Sequence, residues 1–204
     1  MIDVSVMIHD AHANSVAHGF WTTPEDLDFD VHVALVHSEV SEALQEWRDG
    51  HPLGEIRYAW PLSRFYSVCC KCDVEIMEPM EAVSVCPHCG YRPKPVGFVI
   101  ELADVLIRLT NMAGHYGWPW VPSAGVPCQG KMPKSAAELV NILHDIIGHF
   151  LIGAGDPHQG YRMSGVIRLV ESFCAAHSLP IEQAIKEKMV YNATRPVRHG
   201  GKLA

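Results

Sequence analysis

The stretch Val99-Ile100-Glu101-Leu102-Ala103-Asp104-Val105-Leu106 decides how the chain folds. Between Gly97 and Leu109 the only charged residues are Glu101, Asp104 and Arg108. They recur at spacings of three and four, so a helix carries them on one stripe. Nearly everything else in the segment is large and apolar, and a helix apolar on most sides is a buried helix. Two carboxylates on a buried helix repel each other and lose hydration unless something cationic lies between them. Arg108 can neutralise one such charge, not several.

Working outward, helical spacing of apolar residues recurs on both sides. Val31, Leu35, Val36, Val40, Ala43, Leu44 and Trp47 predict a helix over about 26–49, ended by Gly50 and Pro52. Further helices are predicted over about 4–17, 97–116, 135–151 and 163–192, the last broken at Pro180. No useful period-two alternation appears outside the Cys-rich stretch. The expected fold is therefore all-α, a bundle of four to five helices. Proline and glycine interrupt it over 52–96 and 117–134, at a density no helix interior tolerates. Residues 1–64 and 96–204 are assigned to the bundle, and 65–95 to a small inserted domain.

Glu39 and Glu42, in His37-Ser38-Glu39-Val40-Ser41-Glu42, form a second acidic pair one helical turn apart. Alone, such a pair reads equally well as a solvated face. If the two acidic helices are neighbours, four carboxylates converge. A hard-oxygen set of that kind suits Mg²⁺, with Mn²⁺ as an acceptable substitute. Neither helix contains Glu-x-x-His, which weighs against a di-iron site.

The 204 residues include 16 Lys+Arg, 23 Asp+Glu and 13 His, a net charge of −7 with His neutral. That balance argues against a general nucleic-acid binder. An apolar fraction of 48 % is too high for a disordered chain. No run of about 18 apolar residues offers a membrane span, and the first residues lack the basic region of a signal peptide. Five of the seven cysteines fall within 69–89. Cys69-x-x-Cys72 and Cys86-x-x-Cys89 have the two-knuckle spacing of a zinc ribbon, able to close a tetrahedral Zn²⁺ site. Cys70 competes with Cys69 for one position. Clustered thiols of this kind point to a reducing, cytoplasmic setting. Lys71, Arg92 and Lys94 in the ribbon are outnumbered by Asp73, Glu75, Glu78 and Glu81, so nucleic-acid binding is not expected there either. Cys128 and Cys174 read as free thiols. His144, Asp145 and His149 read as packing or solvent residues.

Glu-x-x-Glu on one helix and Glu-x-x-Asp on the next resemble the MazG-like nucleotide pyrophosphohydrolases of the all-α NTP-pyrophosphatase superfamily. The stretch His12-Ala13-Asn14 through Gly19-Phe20-Trp21 is similar to the family's N-terminal segment. Glu187-Lys188-Met189-Val190-Tyr191-Asn192-Ala193-Thr194-Arg195-Pro196, with His199-Gly200-Gly201-Lys202, is similar to its closing segment. The resemblance covers about 8–50, 96–117 and 181–203, in matching order. It implies hydrolysis of a nucleoside triphosphate to the monophosphate and pyrophosphate with Mg²⁺. Glu39, Glu42, Glu101 and Asp104 would then be metal ligands, with Glu42 or Glu39 activating water. Lys188, Asn192, Arg195 and Lys202 would meet the phosphates, and His12 and Trp21 would lie near the base or sugar. Relatives usually associate, so a homodimer is expected.

Three departures stand out. Asn111 occupies a place where relatives often carry an acid. A Cys-rich insertion separates the motif helices, and an extra helix precedes the closing segment. From the residues alone, Trp21 could equally be a core aromatic, and Arg195 and Lys202 surface charges. A reading from another class is a noncatalytic helical adaptor whose zinc ribbon recruits a partner. The buried acids discriminate, because an adaptor has no use for Glu101 and Asp104 inside an apolar helix.

Overall fold

The computed structural model describes residues 2–60, 68–69, 71–72, 74–76, 79, 82–125, 132–150, 153 and 155–198. Cys70, Asp73, Glu78, Glu81, Cys128 and Lys202 lie outside the described residues. Six α-helices and one two-stranded sheet are present among those described: α1 (Val4–Ala17), α2 (Phe29–Arg48), β1 (Arg57–Ala59), β2 (Lys94–Val96), α3 (Phe98–Tyr116), α4 (Ala136–Phe150), α5 (Gln159–Ala176) and α6 (Ile181–Ala193). None of these helices is long and apolar enough to cross a membrane.

The helix starts follow from local chemistry. Asp3 caps α1 by accepting the Val6 N–H at 3.1 Å. Asp28 caps α2 by accepting the Asp30 N–H at 2.9 Å. Ser135 accepts the Glu138 N–H at 3.2 Å ahead of α4. Each satisfies a backbone donor that a helix start would otherwise leave without a partner. Gly97 does something different at α3. Its φ is +138°, and a Cβ there would collide with the Glu55 carbonyl oxygen. Only glycine lets the chain turn there from β2 directly into the helix.

Helix α3 is the centre of the molecule. It is buried along most of its length and packs on α1, α2, α5 and α6. Phe98, Ile100, Leu102, Leu106, Leu109 and Met112 are fully enclosed. Each such side chain contributes about 1.5–3 kcal/mol over leaving it exposed. Helix α4 packs on α2 and on α5, which widens the bundle.

The break expected at Pro180 is present: it separates two helices, α5 and α6, by a turn with Ser178 at φ +54° and Pro180 at the start of α6. The outcome departs from the sequence reading in two places. Helix α2 begins at Phe29 rather than Asp26. Asp26 is fully buried in a 3₁₀ turn and accepts the Thr22 and Thr23 N–H groups, so it is committed to the loop. The antiparallel pair β1–β2, with Arg57 opposite Val96 and Ala59 opposite Lys94, was not expected. Three residues are too short to display alternation. This ladder forms the foot of the Cys-rich insertion, whose own small core is Cys69, Ile76 and Cys86, flanked by Trp60 and Tyr91.

His144 is a packing residue. Its ring stacks on His37 of α2, with the two Nδ1 atoms 2.9 Å apart. Burial, and for His37 the neighbouring ring as well, holds both imidazoles below their ordinary value of 6.5. Both therefore bind protons less readily folded than unfolded. The stability of the neutral pair is intact above 6.5 and is lost as the pH falls below it. We expect the melting temperature to fall between pH 7 and pH 5.5. His144→Asn should fall less over that range, measured against its own value at pH 7.

Candidate functional site

Helices α2 and α3 pack side by side, and their acidic stripes meet. Glu39, Glu42 and Glu101 each bring a carboxylate oxygen within 4.8 Å of the other two. Three hard oxygens at that separation could hold a metal ion. Asp104 is not in this group. It pairs with Nζ of Lys188, which α6 carries to the same seam. Glu101 is 2 % exposed, Lys188 3 %, and Glu39 and Asp104 are also buried, while Glu42 stands at the exposed rim.

These acids do not lack cations, as the sequence reading supposed. Arg108 Nε donates to Glu39 Oε1 at 2.6 Å. Lys94, from β2, places Nζ 3.6 Å from Glu42 Oε2 and 3.9 Å from Glu101 Oε1. Arg195 faces the same cavity. Four acids thus meet four bases drawn from β2, α3, α6 and the segment after α6. The charges come from elements distant in sequence, so they could not be counted on one helix.

The electrostatics follow from burial. Burial pushes the Glu101 carboxyl up to about 8, with Lys188 and Lys94 acting against it and Asp104 and Glu42 with it. Burial would lower Lys188, but Asp104 and Glu101 beside it outweigh that and raise it, so it is a firm cation. Burial holds Arg195 below its ordinary value. Glu101 Oε2 has no hydrogen-bond partner among the described residues, and neither has Asn192 Oδ1.

A cavity of about 470 Å³ opens onto this seam. Glu39, Glu42, Asp104 and Arg108 line it together with Lys188, Tyr191, Asn192 and Arg195, while Glu101 is not part of the lining. Asn14, Ser15, Phe20 and His32 line it further along. Of the residues expected to meet phosphates, Lys188, Asn192 and Arg195 therefore line one cavity with the acids.

His12 and Trp21 do not line the cavity. They stand behind two residues that do. Trp21 Nε1 donates to Asn111 Oδ1 at 3.0 Å, and His12 Nδ1 lies 3.3 Å from the same oxygen. The Asn111 amide donates to Ser15 at 3.2 Å, so this side chain is fully engaged. Trp21 lies between the rings of His32 and His115, each centroid 4.0 Å away. An aromatic ring stacked on both faces has none left for a base.

The chain after α6 crosses the loop that holds Trp21. Arg198 pairs with the buried Asp26 at 2.5 Å, and its N–H donates to the His18 carbonyl at 2.8 Å.

The sequence reading assigned Lys94 to the ribbon surface, yet it faces the acids. The available signal was a lone cation between Pro93 and Pro95, ahead of the buried acidic helix.

In the insertion, Cys69, Cys72, Cys86 and Cys89 form a compact group. Cys69 and Cys89 sulfurs are 3.7 Å apart, and those of Cys72 and Cys86 3.8 Å. A tetrahedral ion with metal–sulfur bonds of about 2.3 Å requires sulfur–sulfur edges of about 3.8 Å. The four thiols could therefore hold a metal ion. Burial opposes ionisation of Cys86, but the His88 and Cys89 N–H groups aimed at it bring the thiol down to about 6. Cys174 is a buried free thiol.

Comparison with known protein families, with curated proteins and with solved structures found no match.

Removing one member of a buried ion pair costs more than removing both, because it strands a charge. Lys188→Met should destabilise the protein by about 3 kcal/mol. The double variant Lys188→Met with Asp104→Asn should recover most of that loss, read from urea unfolding midpoints.

Proposed function

We propose that this chain is a Mg²⁺-dependent nucleoside triphosphate pyrophosphohydrolase of MazG-like type, cytoplasmic, that clears surplus or non-standard nucleotides. The observation that carries the reading is a hard-oxygen cluster of which Glu39 and Glu42 line the same cavity as Lys188, Asn192 and Arg195. A polyphosphate is both strongly anionic and a partner for Mg²⁺, so it answers both groups at once.

In this reading Glu39, Glu42 and Glu101 hold Mg²⁺, and Asp104 joins them when Lys188 turns to phosphate. Mg²⁺ supplies charge neutralisation at the α-phosphate and lowers the pKa of the attacking water. The remaining work belongs to the chain. Glu42 or Glu39 orients that water and takes its proton. Lys188, Asn192, Arg195 and Lys202 grip the phosphates. The nucleoside lies toward Asn14, Ser15, Phe20 and His32, whose placement His12 and Trp21 secure from behind.

The Cys69, Cys72, Cys86 and Cys89 group is read as a closed, structural Zn²⁺ site. Four sulfurs within 4.8 Å of one another, with two pairs at 3.7 and 3.8 Å, support that identity, and four sulfur ligands would leave no position open for catalysis.

Pyrophosphate release from a panel of ribo- and deoxyribonucleoside triphosphates tests the activity. We expect release with Mg²⁺ and none with EDTA. Glu101→Gln should lower turnover more than about a hundredfold while leaving the helical circular dichroism unchanged. No pyrophosphate from any triphosphate would overturn the reading, and orthophosphate alone would mean that a different bond is cut. Elemental analysis of the purified protein should find about one zinc per chain. A metal-free ribbon would refute the Zn²⁺ assignment.

A further inference from the structure

The cations that face the acidic group are not held alike. Arg108 lies 2.6 Å from Glu39, and Lys188 is buried against Asp104. Lys94 stands 3.6 Å from Glu42 and 3.9 Å from Glu101, with 41 % of its side chain exposed. Both separations exceed an ordinary hydrogen bond. Its amine therefore sits between one carboxylate from each helix without a tight bond to either. Glu101 Oε2, on a residue only 2 % exposed, has no hydrogen-bond partner among the described residues. The backbone beneath Lys94 is fixed, paired with Ala59 and flanked by the buried Pro93 and Pro95. The stem above it is free to swing, as lysine stems are.

We propose that Lys94 is a placeholder cation. Before loading, it occupies the position between Glu42 and Glu101 that a divalent ion takes. When the ion enters, the amine turns into the cavity, which Lys94 also lines, and binds polyphosphate. The proposal rests on reading the acidic group as a Mg²⁺ site. It makes Lys94 act in two directions. A positive charge between two ligands opposes a divalent ion that comes alone. The same charge, displaced toward the cavity, favours an ion that comes with a polyanion. The ion and the phosphates are then taken up together rather than in sequence.

Mn²⁺ binding to the full chain, followed by electron paramagnetic resonance, separates these effects. It is measured with and without inorganic tripolyphosphate, for the natural protein and for Lys94→Gln. We expect the variant to bind Mn²⁺ alone about tenfold more tightly, and to lose about tenfold of the gain in affinity that tripolyphosphate gives the natural protein. Lys94→Arg, which keeps the charge, should retain that gain. Equal Mn²⁺ affinity in the natural protein and Lys94→Gln overturns the placeholder role and leaves the acidic group an ion site. So does an undiminished tripolyphosphate effect in Lys94→Gln. No Mn²⁺ binding by any of the proteins, with or without tripolyphosphate, overturns the reading of the acidic group itself.

Discussion

The ion pair between Asp104 and Lys188 is the contact on which the rest of the arrangement depends. Helix α3 is buried on most sides for reasons of packing, and it carries two acids into that burial. A carboxylate removed from water needs a cation in reach or it will not stay charged. Lys188 answers that need from α6, which fixes where α6 can dock. Arg108 of α3 answers Glu39 of α2 in the same way. The acids and bases thus stitch three helices together around one cavity. The same groups that lock the bundle shut line the space where a charged ligand would go.

Two side-chain groups that could hold a metal ion, of opposite character, are kept apart. Soft thiolates gather in the insertion, hard carboxylates in the bundle. Among the described residues the regular structure linking them is the β1–β2 ladder, and Gly97 follows its last residue. Because Gly97 turns the chain sharply against Glu55, Lys94 and Glu101 end up on the same acidic seam, although one belongs to a strand and the other to a helix.

Most of the bundle was readable because its helices are long and their apolar periodicity is unbroken. Helix α1 coincides with the expected span at both ends, and α3, with glycine at each end, starts one residue later than expected. The start of α2 differs from the expectation because three aspartates, Asp26, Asp28 and Asp30, stand near it, and only geometry tells which one caps. The short strands carry too few residues to show a period, and one of them includes a proline. The four acids were legible as pairs at helical spacing, whereas Lys188, Asn192 and Arg195 were named only through the resemblance to a family's closing segment. Lys94 was not, since its partners are near in space and its neighbours in sequence suggested a ribbon surface. The resemblance puts His12 and Trp21 near a base or sugar; their hydrogen bonds to Asn111 and the stacking of Trp21 on His32 set them behind two residues that line the cavity. A sequence pattern names the residues of a pocket more readily than it orders them in depth.

Helix α6 is the last helix among the described residues, and it carries the cation that the buried acids need. A chain made from its N-terminus presents α1, α2 and α3 before α6 exists. At that stage Asp104 has no Lys188, and enclosing it would strand a lone charge in an apolar seam. The order of synthesis therefore makes this corner the last part of the bundle to close. A nascent chain halted before α6 would keep it open to water.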